Sequence, residues 1–197
     1  MNNKTDMMNE SIKKRILHGA FECISSKGYA NVSLRNIADE AGVVLSQLNY
    51  YYKNKEGLFT EVIKMTMKEC LLGLEDHLKK GINTKEKVVA LIKCFQEVFE
   101  ENPKSFILLY DFTSMALWSE KYRSLLCNLF EEICEIIEKY VLSNTPAPSK
   151  SNLCNYSSES ISRMIFGAMF GIAIQVILDP QEKKLPRALN AIELVFK

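Results

Sequence analysis

The sequence predicts an all-α protein, and three observations carry that expectation. Apolar residues recur at three- and four-residue spacing along most of the chain, the period of a helix with one buried face. Gly28, Gly42, Gly81, Pro103 and Pro180 stand where these stretches begin or end. Helix-capping residues, Ser33, Thr84 and Ser157 or Ser158, precede several of them.

A first helix is expected from about Glu10 to Ser26, with Ile12, Ile16, Ala20 and Ile24 on one face, Leu17 and Phe21 beside them, and Gly28 ending it. At Ser33 the hydroxyl can accept from a free N–H of the next helix. That helix places Leu34, Ile37, Ala38 and Ala41 on one side and leaves through Gly42, where a left-handed backbone costs glycine little. A third helix follows at once. Val43 and Leu48 can bury beside Ile37, and the small Ala38 admits the steep approach of a helix-turn-helix. Leu45, Ser46, Gln47, Asn49, Tyr50 and Tyr51 are left outward, mostly donors and acceptors of a size that suits groove edges and phosphates.

The fourth helix, about Lys55 to Lys80, is long enough to serve two units. Its start carries Lys55, next to Lys53, where a helix N-terminus adds to their charge, while Ile63, Met67, Cys70, Leu71 and Leu74 are expected in a second core. A fifth helix is expected from Thr84 to about Glu101, a sixth from Pro103 to about Ser119, and a seventh from Glu120 to Leu142. SNTPAPSKSNLCNYSS then reads as a loop. An eighth helix ends near Asp179, and a ninth runs from about Gln181 to Phe196.

Composition narrows the function. The chain has 197 residues with 25 Lys or Arg against 24 Asp or Glu. Residues 1–60 hold eight basic against six acidic residues, so nucleic-acid affinity has to come from local placement and from a doubled site. The polar start, without the apolar centre of a signal peptide, and the lack of a long apolar run predict a cytoplasmic protein with no membrane partner. Met164 to Leu178 reads as a buried helix. The six cysteines form no Cys-x-x-Cys pair and are expected to be reduced core thiols, with Cys154 the most exposed. Cys127 and Cys134, seven positions apart, stand ~10 Å from one another at ~1.5 Å per residue and cannot bridge within a helix. With two histidines, no metal spacing, no Gly-rich phosphate loop and no nucleophile-base set, neither an enzyme nor a cofactor is expected.

The run YYYKNKEGLF after AGV resembles the N-terminal domain of the tetracycline-repressor (TetR) family, over about a quarter of the chain. The resemblance implies two helical domains among about nine helices, with residues 1–54 a helix-turn-helix DNA-binding head and residues 55–197 a ligand-binding and dimerisation body. It implies a homodimeric regulator, most often a repressor, that binds a palindromic double-stranded operator and answers to a small hydrophobic effector. A protein partner or cysteine oxidation is the alternative trigger.

On that resemblance, DNA contacts fall to Ser33, Arg35, Leu45, Ser46, Gln47, Asn49, Tyr50, Tyr51, Lys53 and Lys55, with the Arg35 guanidinium able to pair with guanine and Tyr52 turned inward. The head departs from the family pattern at Val44 and Leu45, which replace polar residues, and at Asn49, which replaces an aromatic. Leu45 can meet thymine methyls, and Asn49 either a phosphate or adenine.

In the body, PKSFILLYDFTSMALWSEKY mixes polar aromatic residues into an apolar lining, as a ligand pocket does. Leu109, Tyr110, Asp111, Thr113, Leu117 and Trp118 are its candidates, with Phe95, Phe99, Phe130 and Met164 as walls. Core packing explains the same residues as well. Asp111 hints at an amine-bearing ligand. Phe170, Ile174, Leu178, Leu189, Ile192 and Val195 are expected in a four-helix dimer interface, with Gly167 and Gly171 permitting close packing.

Overall fold

The computed structural model describes residues 2–143, 156–182 and 184–196, and side chains from Asn9 onward, except at 185, 186 and 194–196 within those stretches. These residues form helices joined by short turns, with no strand among them. In order, the elements are α1 (Asn2–Lys27), a 3-10 turn (Tyr29–Asn31), α2 (Leu34–Ala41), α3 (Leu45–Tyr51), α4 (Lys55–Lys79), α5 (Thr84–Glu101), α6 (Pro103–Ala116) and α7 (Glu120–Ile137). A π-helical extension of α7 (Glu138–Leu142), α8 (Ser158–Leu178), α9 (Leu185–Ala188) and a 3-10 segment (Leu189–Phe196) complete the set. Cys154 and most of the expected loop lie outside the described residues.

The head is built as its local chemistry requires. Ser33 caps α2 by accepting from the Asn36 N–H, and the Asn36 side chain accepts in return from the Ser33 N–H. Gly42 ends α2 at φ 62°, with its N–H donating to Asp39 and the Val43 N–H to Ala38, so the free carbonyls of the last turn are satisfied. Ile16, Ala20 and Ile24 of α1 meet Ile37 and Ala38 of α2, Leu48 of α3, and Leu58 and Val62 of α4 in one buried core. Gly19 permits the closest approach: a Cβ there would stand 2.9 Å from the Ala41 nitrogen. Arg15 donates to the carbonyls of Ala41 (2.8 Å) and Gly42 (2.6 Å), tying the turn to α1.

In the body, α4 packs on α5 and α7, α6 on α7, and α8 on α6 and α7. The cap of α5 is Asn83, one residue before the expected Thr84, because its amide oxygen reaches the Glu86 N–H. The ninth helix is shorter than expected. It is a four-residue α-helical turn followed by the 3-10 segment, which packs on α5. Leu189 and Ile192 are therefore buried inside this chain and are not available to a partner, contrary to expectation. Val195 lies outside the residues whose side chains are described.

Two further expectations are corrected. The helix α8 is long and apolar enough by composition to cross a membrane, with mean hydropathy 1.9, yet only 28% of that window is buried. Ile165, Phe166, Met169 and Ala173 pack into the body core, while Met164, Gly167, Ala168, Gln175 and Leu178 face outward. It is thus a core helix with one open side. Of the cysteines, Cys23, Cys94 and Cys134 are buried, but Cys70 and Cys127 are exposed.

Candidate nucleic-acid interface and effector site

On the head, α3 presents Ser46, Asn49 and Tyr50 to solvent, Tyr50 being 80% exposed, with Leu45 and Gln47 half-buried beside them. Arg35 and Lys53 are exposed at the start of α2 and in the turn before α4, and Ser33 is exposed in its capping role. Tyr51 is only partly available: its hydroxyl donates to the Asn9 carbonyl oxygen of the side-chain amide at 2.7 Å, and Lys13 stands 5.8 Å from its ring centroid. Tyr52 turns partly inward, where burial and Glu61 push its hydroxyl pKa up.

Lys55 is not placed as a phosphate clamp. Its ammonium lies 4.1 Å from the Tyr29 ring centroid, and burial pulls its pKa below the ordinary lysine value, with Asp111 acting against that shift. A groove of about 610 Å³ beside it brings Lys13 and Lys14 of α1 together with Lys53 and Asn54. The two α1 lysines escaped the sequence reading because nothing local marks them. Only the packing of α1 beside the end of α3 brings them to this edge.

The second assembly is the joint between head and body. Asp111 of α6 accepts from the Tyr29 N–H at 2.6 Å, at the turn where Gly28 has φ 77°. The Tyr29 ring lies 4.6 Å from Phe59, which meets Tyr122 at 5.8 Å and Phe112 at 6.3 Å. Lys104 of α6 donates to Glu22 of α1, and Lys121 of α7 to Glu56 of α4 at 3.1 Å. Burial pushes the Tyr122 hydroxyl up to about 12; it lacks a partner in full hydrogen-bond geometry although Thr60 and Tyr29 stand near.

Asp111 therefore serves the joint rather than a ligand. Leu117 and Trp118, 66% and 88% exposed, close α6 on the outside, and Met164 sits on the open side of α8, so none of the three lines an interior pocket. The other candidates divide into two groups. Phe99 stacks on Phe106, which lies in the same candidate stretch of α6, and Phe95 packs tilted against it. Phe130 joins Phe166 and Phe170, and Tyr110 packs on Phe170 while donating its hydroxyl to the Phe170 carbonyl. Leu109 is half-buried, and Thr113 donates to the Leu109 carbonyl in its own helix at 2.8 Å. These aromatics are packed against one another in two clusters, in which Phe106 and Phe166 are buried and the others half-buried.

A three-helix head with a capped α2, a glycine turn and an exposed polar α3 defines a helix-turn-helix DNA-binding protein. Residues 16–62 match the family model for bacterial regulatory proteins of the tetR family. The head therefore carries the DNA-binding domain of that family, and the chain as a whole resembles its regulators. It is 21% identical over 176 residues to the regulator PksA of Bacillus subtilis (strain 168), covering 87% of this chain and 81% of that protein. Against the fatty acid metabolism regulator protein of the same organism it is 27% identical over 128 residues, 64% of this chain and 61% of the other. The fold matches the solved FadR from Bacillus subtilis in complex with stearoyl-CoA with a TM-score of 0.75 at 20% identity, over 93% of this chain and 97% of that one.

Proposed function

We propose that the protein is a homodimeric repressor that holds a palindromic operator with one α3 per half-site and is released when a small, mainly hydrophobic ligand binds the body. The carrying observation is the joint: Asp111 and Lys104 of α6 hold α1 and its following turn, while α4 enters both cores. A ligand that favours a different placement of α6 or α4 must then favour a different placement of the head. By reciprocity, it binds DNA-bound protein less well and weakens DNA binding to the same extent. The open side of α8, centred on Gly167, Gly171 and Leu178 with Phe170 and Ile174 half-buried beside it, is the face this reading assigns to the second copy.

Because the FadR neighbour is solved with stearoyl-CoA, acyl thioesters are the first effector class to test. Fragments selected from genomic DNA by the purified protein supply the operator. Fluorescence anisotropy with and without a panel of hydrophobic small molecules, acyl-CoAs included, is expected to show at least a tenfold loss of affinity for one class. Affinity unchanged across the panel removes ligand release from the reading, and a monomer on the operator removes the dimer.

A further inference from the structure

We propose that the groove between α4 and α7 is a binding site for an amphiphile with one aliphatic tail and an anionic head. This deepens the reading of the protein as a ligand-controlled regulator and rests on it only for the consequence, not for the binding.

The two helices run side by side in the same direction and are tied at two levels. Near their starts Lys121 donates to Glu56 at 3.1 Å, and near their ends Glu75 accepts from Tyr140 at 2.7 Å and from Lys139 at 3.4 Å. Between these ties the seam opens into a groove of about 420 Å³, within the range of ~300–1,000 Å³ usual for small-molecule sites. Its apolar lining is half-buried Met67 and Leu71 from α4 and Leu125 from α7, with Leu72 of α4 at its open side. Leu72 is left 51% exposed, an apolar side chain in water beside other apolar side chains. Met67 is unbranched and can adapt to the shape of a chain laid over it.

The rim supplies the charge. Lys64 and Lys68, one helical turn apart on α4, both border the groove. Lys64 is engaged with Glu61 at 2.9 Å, whereas Lys68 makes no ion pair among the described residues. On the α7 rim, Asn128 offers an amide, and Glu132 disfavours an anion near itself. The head therefore belongs over the Lys68 ammonium, with a carboxylate or phosphate as the shared chemistry. An occupant would lie against the helix that enters the head core through Leu58 and Val62.

Isothermal titration of the intact chain with decanoate and with decanoyl-CoA separates the two anions; decanol supplies the uncharged control. Binding of at least one anion is expected, at least tenfold tighter than decanol. Leu72→Glu and Lys68→Glu, both at exposed positions, should each weaken it tenfold or more. Ile82→Glu, at an apolar position 89% exposed outside the groove, should leave it unchanged. Failure of both anions to bind, equal affinity for decanol, or binding indifferent to both groove variants overturns the site. In that last case ligand control survives with its site elsewhere. If instead the groove variants abolish binding but the bound anion leaves DNA affinity unchanged, the groove stands and the switch falls.

Discussion

Asp111 and Tyr29, 82 residues apart, are joined by a 2.6 Å hydrogen bond in which a body carboxylate accepts from the first N–H of the turn leading into the helix-turn-helix. The Tyr29 ring simultaneously carries the Lys55 ammonium, so one residue of the head is held by α4 and α6 together. A charge-assisted bond of this kind contributes ~1.5–3 kcal/mol. Asp111→Ala should lower unfolding stability by about that much in urea titration. If the joint couples the domains, the same variant shrinks the effect of ligand on DNA affinity while intrinsic DNA affinity changes little.

Lys53 and Lys55 should behave differently when replaced. Lys53→Ala is expected to weaken binding to all DNA sequences alike and to reduce the salt slope by about 1. Lys55→Ala, which removes a cation from the Tyr29 ring, should lower thermal stability and leave the salt slope near its original value. Arg35→Ala is expected to relax discrimination between operator variants, at ~1–3 kcal/mol if its guanidinium reads a base. Anisotropy titrations at several salt concentrations distinguish these outcomes.

Gly19 and Gly42 are required for different reasons. A methyl at Gly19 collides with the α2 backbone at Ala41, and Gly19→Ala should cost ~1–3 kcal/mol through overpacking. Gly42→Ala forces a side chain into a left-handed conformation at φ 62° and brings it to 3.0 Å from the Arg15 guanidinium, so it too should destabilise, by ~1 kcal/mol. Urea unfolding of both variants checks the two costs.

The open side of α8 is a test of assembly. Gly171 has open space around it and Leu178 is 75% exposed, so Gly171→Glu and Leu178→Lys should be tolerated by the monomer fold. Light scattering at micromolar concentration is expected to show dimer for the parent chain and monomer for the double variant. A dimer unchanged by both charges would place the interface elsewhere.

Acid stability follows from two carboxylates held below the ordinary range. Glu97 is lowered chiefly by its hydrogen bond with His77, and Glu75 chiefly by that from Tyr140. A carboxyl whose folded pKa is depressed stabilises the fold above its unfolded pKa and loses that contribution as pH falls through the folded one. Both contributions are therefore present at neutral pH and disappear below the usual carboxylate range of ~4.3. Glu97→Gln should flatten the loss of thermal stability on acidification.

Features set by near neighbours in the chain are legible in the sequence. Ser33, Gly42 and the apolar face of α2 act through partners within a few residues, so their roles follow from spacing and backbone preference alone. The same holds for the limits of α4 and α5, which agree with expectation to within a turn, and for α7 once its π-helical extension to Leu142 is counted. Trp118 and Asp111 were misplaced for the opposite reason: helical spacing says which residues share a face, but not which face a neighbour covers. Asp111 met the head, and the Trp118 side was left in water.

Sequence by itself thus determined the class of fold, the helix-turn-helix and the polar residue types that α3 leaves in solvent, because capping, turn chemistry and periodicity are short-range. Only the tertiary structure decided that Lys55 belongs to the joint, that Leu189 and Ile192 close the chain's own core, and that α4 and α7 part between two polar ties. Each depends on side chains distant along the chain meeting in space, and that outcome is set by how whole helices pack.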